Sequence, residues 1–355
     1  MTFYATTATT AGWIVPKRYT EKIGDDAFKH NPVGLGPYRV VRYDPGIELV
    51  CEAYTDYWRK TPAVKRLVFK MVPEPTTRLA MLTQQEADVT YAIYGMLAEQ
   101  VRRDPTLTLA YTLGGVEWGC FVDMDEPTSP WHDKRVRLAA NHALNRQALN
   151  EAETLGYSKL LGGIIPETYD FALPLEPYAY DPPQAKALLT AAGYPQGFDA
   201  GVFSCDAVYA GQIEGVVNDL AASGIRAKVQ PLERAAMQTA HREKTVKNLT
   251  RVGNGAPGNA ATRIETSMLR TGPLSFLKDP EIEQWFAQQS HERHRPTREA
   301  LLHKIQQKAY DEAYFLPLWQ LAFLCVTGPR VAVSGIGLIP GYIYSAPYED
   351  VQLKA

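Results

Sequence analysis

NPVGLGPYRV, residues 31–40, is the run on which the reading of the fold turns. Gly34 and Gly36 flank a single leucine, and Pro37-Tyr38 leads straight into alternating apolar and polar residues. A glycine pair that opens a strand cannot seat a phosphate on a helix N-terminus, so this is not a nucleotide loop. Residues 39–43 and 47–53 then alternate around Asp44-Pro45-Gly46. That pattern predicts a hairpin, because Asp and Pro initiate the turn and Gly accepts its unusual φ. Residues 64–72 (VKRLVFKMV) read as a further period-two strand.

Outward from this start, helix and strand patterns alternate. Residues 11–16 are apolar and 20–30 form a short polar helix. A helix over 77–85, a strand over 88–93 and a helix over 96–103, ended by Asp104-Pro105, precede a long strand over 107–122. From Asp133, Val136, Ala139, Ala140, Ala143 and Leu144 recur at helical spacing, which predicts a buried helix with a basic first turn. In YDPPQAKALLTAAGYPQG (180–197), Asp181 caps a helix, Pro182 occupies its first position and Gly193 stops it. Strands over 201–204 and 227–231 are each followed by a helix, over 210–223 and 234–244. Next come a strand that runs into a glycine-rich loop (248–259), helices over 279–289 and 296–313, and a strand over 316–326. The tail, 335–351, is turn-rich and carries Tyr342, Tyr344 and Tyr348. The alternation implies α/β lobes.

Bulk properties exclude some functions. A chain of 355 residues holds two domains, and a net charge of -2 makes no electrostatic case for nucleic acid or an anionic membrane. Twenty tyrosines and six tryptophans suit either ligand recognition through aromatic walls or an aromatic core. Cys51, Cys120, Cys205 and Cys325 form no CxxC pair, which argues against a zinc ribbon or a thioredoxin motif; spacing does not identify a disulfide. His291 and His294 lie in a polar helix start and read as solvated surface. Asp123, Asp125 and Glu126 (VDMDEP) lack the glycine and distal glutamate of a calcium loop and read as a surface turn. Cys120 and His132 are separated by that acidic turn and two prolines. No GxSxG or P-loop occurs, so no catalytic residue, metal or cofactor is expected. The first residues lack a basic region and a long apolar stretch, so no signal peptide is read, and no run approaches the ~20 apolar residues of a membrane span.

Together, NPVGLGPYRV, CEAYTDYW (51–58), RLAMLTQQEAD (78–88), the DKRVRLAANHALNR run and YDPPQAKALLTAAGY resemble the family 5 extracytoplasmic solute-binding proteins of ABC importers, the oligopeptide, dipeptide and nickel binders. The resemblance implies an α/β, two-lobed, type II periplasmic-binding-protein-like fold. Lobe I would be 1–117 completed by 322–355, and lobe II 118–321, with hinge crossings near 118–122 and 318–324. It implies capture of a peptide-like or other small solute between the lobes, without chemistry, and delivery to ABC permease subunits, in a periplasmic or extracytoplasmic setting. Family members carry a section before GxGPY: the first strands of lobe I and a small extra domain. Their absence here implies a truncated chain or a partner fragment, with open sheet edges as a self-association surface. The alternative reading is a truncated or repurposed interaction or regulatory protein without transport.

Ligand contacts implied by the resemblance are Tyr94 and Gly95, Trp118 and Cys120 on one face of a strand, Arg251 and Asn254 at the glycine-rich loop, and Trp319 on the returning strand. For each aromatic, core packing is the alternative. Peptide-binding relatives place an aromatic and then an aspartate in that loop, to meet an α-amine. Here residues 254–258 read NGAPG, with no acid, which puts peptide specificity in doubt. Arg251 would receive a carboxylate bidentately, or else form a structural ion pair.

Overall fold

Gly46, at φ +76°, turns the chain between β1 (Tyr38–Asp44) and β2 (Glu48–Ala53), which pair antiparallel from Tyr38↔Ala53 to Asp44↔Glu48. The structure, a computed structural model, describes residues 14–255, 258–339 and 342–354. β3 (Arg66–Lys70) pairs antiparallel with the other edge of β2, so the predicted hairpin and the strand after it are both present. Upstream, the expected single polar helix is two, α1 (Lys17–Ile23) and α2 (Asp25–His30). Gly24 between them takes φ +77°, a left-handed conformation that a continuing helix cannot contain. Of the apolar stretch 11–16, residues 11–13 lie outside the described residues.

Further on come α3 (Pro75–Thr83), β4 (Val89–Tyr91), α4 (Gly95–Arg103) and the long β5 (Thr108–Phe121). The single buried helix expected after Asp133 is broken in two, α5 (Lys134–Ala143) and α6 (Arg146–Thr154). Asn145 breaks it: its side chain accepts from the Ala148 N–H and starts a new helix. β6 (Lys159–Leu160) is followed by α7 (Pro182–Ala191), where Asp181 accepts from the Gln184 N–H and Gly193 takes φ +95°. Then β7 (Phe198–Asp206), α8 (Ala210–Ala222), β8 (Ile225–Leu232), α9 (Arg234–Glu243) and β9 (Leu249–Asn254) alternate as read from the sequence. α10 (Ala260–Ser267) is a helix that periodicity missed, although Asn259 caps it by accepting from the Thr262 N–H. α11 (Pro280–His291), α12 (Arg295–Asp311), β10 (Phe315–Thr327), β11 (Val331–Val333) and β12 (Gln352–Leu353) complete the chain.

The chain divides into two compact units. One holds the described residues through Gly114 and those from Ala322 onward; the other is Gly115–Leu321. β5 and β10, neighbours in one sheet, are the two stretches that run from unit to unit. Within the first unit, β10 pairs antiparallel with β4 (Cys325↔Tyr91), and Tyr91 donates to the Ser345 hydroxyl at 2.8 Å. Within the second unit, β7 lies parallel to both β8 and β9, and β9 is antiparallel to β5.

The second unit is held by a core rich in large aromatics. The Trp131 ring lies 4.7 Å from Phe121 and 5.4 Å from Phe198. A buried polar staple fixes the helices to β10: Arg146 donates to the Pro317 carbonyl at 2.7 Å and to the Asn141 carbonyl at 2.8 Å, while Asn141 donates to the Phe315 carbonyl at 3.0 Å. Among the described residues all four cysteines are buried and unpaired, and no helix is long and apolar enough to cross a membrane.

Gly197 marks where β7 meets β8. It sits at φ +69°, and a methyl added there would land on the Gly224 carbonyl oxygen, which already accepts from the Phe198 N–H. The substitution Gly197→Ala is expected to lower the urea midpoint, with a loss of roughly 1–3 kcal/mol from the strained backbone alone. An unchanged midpoint would contradict this packing.

Candidate functional site

The register of β5 on β9 decides which residues share a face. Trp118 lies opposite Val252, Cys120 opposite Thr250, and Val116 opposite Asn254. Glu117 lies opposite Gly253 and Gly119 opposite Arg251, and these fall on the other face because side chains alternate along a strand. The structure therefore places Trp118, Cys120 and Asn254 together and sets Arg251 apart from them.

On the Arg251 face, a glycine leaves room for charge. Arg251 reaches diagonally past Gly253 to Glu117, to which it donates through both Nε and Nη2. A Cβ at Gly253 would fall 2.9 Å from the Arg251 guanidinium, so glycine suits that position. Arg251 also donates from Nη1 to Asp206 at 3.1 Å, and its guanidinium lies 3.6 Å from the centroid of the Tyr209 ring. Burial works against the Arg251 charge, but Glu117, Tyr209 and Asp206 outweigh it and hold its pKa above the ordinary value. Of the two readings the sequence allowed, the ion pair is the arrangement seen.

On the other face, Trp118 is fully buried and donates from its indole to the Cys120 Sγ at 3.2 Å. Burial pushes the Cys120 thiol up to about 12, so it stays protonated and is a poor nucleophile. The Trp118 ring faces an arginine that sequence reading passed over, Arg263 on α10, whose guanidinium carbon is 5.2 Å from the ring centroid. Arg263 Nη2 donates to the Asn254 carbonyl at 2.8 Å. Gly115 permits the close approach of β5 to this loop: a Cβ there would fall 2.7 Å from the Asn254 carbonyl carbon. The capping Asn259 was the available sequence signal for α10, but nothing in the spacing marked Arg263 as buried.

Beside this face, His241 on α9 pairs through Nε2 with the Thr250 hydroxyl at 2.8 Å. Burial, together with the Lys244 and Arg251 charges, pulls the His241 imidazole down to about 4. Lys244 is itself held by the carbonyls of Gly272, Pro273 and Ser275 at 2.8–3.1 Å. Trp319 is fully buried on β10, paired opposite Leu160. Tyr94 and Gly95 belong to the first unit: Tyr94 precedes α4, with its ring 6.4 Å from Phe323, and Gly95 takes φ +55°. Of the loop 254–258, Ala256 and Pro257 lie outside the described residues.

Comparison with known proteins gives this geometry a context. The family described as bacterial extracellular solute-binding proteins, family 5 Middle, matches residues 1–268. The glutathione-binding protein GsiB of Salmonella paratyphi A is 29% identical over 216 residues, covering 60% of this chain and 42% of GsiB. The chain thus spans less than half the length of this curated relative. The periplasmic binding protein DppA of Helicobacter pylori, solved with the peptide STSA, superposes with a TM-score of 0.79 at 21% identity, covering 96% of this chain and 68% of DppA. The binding protein MoaA of A. tumefaciens R10, solved with mannopinic acid, gives 0.78 at 21%, covering 97% and 71%. The chain belongs to the family 5 solute-binding proteins, and it has their two-lobed α/β fold.

Neutralising one partner of the Arg251 pair leaves the other buried and under-compensated, so Glu117→Gln is expected to cost about 3 kcal/mol in urea unfolding. A loss below ~1 kcal/mol would reduce the pair to the worth of a surface salt bridge. For His241 the folded pKa lies below the unfolded one, so the unfolded chain binds the extra proton. Its contribution, on the order of 3 kcal/mol, is complete above about pH 6.5 and is lost as the pH falls towards 4. Urea midpoints at pH 7 and pH 5 should therefore separate more in the wild type than in His241→Gln; equal separations would show that His241 does not supply this term.

Proposed function

We propose that this chain is the solute-binding component of an ABC importer, capturing a peptide-like or other small solute and presenting it to permease subunits outside the cytoplasm. Family membership over residues 1–268 carries the reading. Its relatives support it further: GsiB is named for glutathione, DppA was solved with a peptide and MoaA with mannopinic acid. The chemistry of the second unit agrees with capture rather than catalysis. Its buried thiols, Cys120 and Cys205, are held protonated, and its most enclosed polar groups are arranged to hold charge in place. Trp118, Asn254 and the backbone around Gly115 are the parts of this unit that we assign to solute contact, and Tyr94 and Gly95 those of the first unit.

A bound solute stabilises the folded chain by mass action. At a hundred times its Kd it contributes about 2.7 kcal/mol, a rise of roughly 3–5 °C in Tm for a chain of this length. Thermal-shift measurements against glutathione, short peptides and mannopinic acid should find at least one such rise. A flat response across that panel would count against the solute-binding reading.

A further inference from the structure

We propose that Arg263 is the anchor for a carboxylate of the solute; the inference rests on the solute-binding reading and goes beyond it by naming the group recognised. The case begins with how the second unit treats its buried arginines. Arg251 is neutralised by Glu117 and Asp206. Arg137 donates to the carbonyls of Trp131, His132 and Glu312 and has the Glu312 carboxylate at 4.0 Å. Arg146 spends its donors on the carbonyls of Pro317, Asn141 and Tyr178 and on the Asn141 side chain. In each, the donors meet oxygen, as a buried guanidinium requires.

Arg263 departs from this pattern. It is 2% exposed, yet among the described residues its Nη1 has no hydrogen-bond partner. Among the described residues no carboxylate pairs with it, and burial pulls its pKa down. Its guanidinium is nevertheless held in place: Nη2 is tied to the Asn254 carbonyl, the Trp118 ring lies 5.2 Å away, and Tyr169 meets it through its side-chain hydroxyl as well as its ring, 6.0 Å away. Aromatic faces and a neutral phenol orient a guanidinium and lower the cost of burying it, but they do not cancel a full charge. Among the described residues, the arrangement is a cation fixed in direction, with no acceptor on Nη1 and no carboxylate beside it.

A carboxylate oxygen on Nη1 would supply both. A neutral carbonyl or a water supplies the acceptor alone. A phosphate brings more charge and more oxygens than one open nitrogen can serve, so the monoanionic, two-oxygen group fits better. The position also answers the acid-free loop: residues 254–258 contain no acidic side chain to pair with an amine, and a cation bonded to the Asn254 carbonyl selects for the opposite charge.

The test compares glutathione, STSA and mannopinic acid with their carboxamides, by calorimetry on wild type, Arg263→Gln and Arg263→Lys. The expected result is at least tenfold weaker binding of an amide than its acid by wild type, a similar loss of acid binding in Arg263→Gln, and a retained acid preference in Arg263→Lys. Acid and amide binding alike to wild type would overturn the assignment with solute binding intact, and needs no variant to fold. So would an acid that binds Arg263→Gln as tightly as wild type. Should no solute bind wild type, the solute-binding reading falls. The anion site is then judged alone by acetate against acetamide at constant ionic strength. Thermal stabilisation by acetate that disappears in Arg263→Gln supports it, and equal responses overturn it.

Discussion

The guanidinium of Arg251 crosses from β9 to the Glu117 carboxylate on β5, and both groups are almost wholly buried. Charges removed from water in this way tolerate little misplacement, because either one alone would be left without compensation. A shift of one residue in the pairing of β5 with β9 would send Glu117 to the opposite face and strand both charges. The ion pair thereby fixes the register. The register in turn fixes that Trp118, Cys120, Thr250, Val252 and Asn254 lie together on the other side.

Two faces of one strand pair therefore have opposite electrostatic character. One carries a cation closed off by two carboxylates and a tyrosine ring. The other carries a cation, Arg263, against Trp118, with a donor that has no partner among the described residues. Glycines make the contrast possible. Gly253 clears the path of Arg251, and Gly115 lets the Asn254 carbonyl approach closely enough to position Arg263. A side chain at Gly253 would press directly on the Arg251 guanidinium, and one at Gly115 would disturb Arg263 through the Asn254 carbonyl to which it donates.

Much of the fold was legible because its signals are local. The Asp-Pro-Gly turn, the Asp181 cap and the Gly193 stop each act within a few residues, and each is found where the sequence placed it. The errors were local competitions that periodicity does not weigh. Gly24 divides a polar helix, and Asn145 restarts a helix that apolar spacing alone would carry through. α10 was lost in a stretch read as loop, although Asn259 caps it as Asp181 caps α7.

Motifs spread along the chain, with the alternation of helix and strand, were enough to place the protein in its family, since those patterns survive as short-range constraints on turns, caps and burial. Sequence reading named Arg251 as a ligand contact and passed over Arg263, on the other side of the same glycine-rich loop. Only the folded chain separates them, because the Glu117 that neutralises Arg251 lies 134 residues away and the ring that faces Arg263 comes from that same distant strand. Whether a buried charge is satisfied depends on which remote groups the tertiary structure brings beside it, and local sequence holds no record of that.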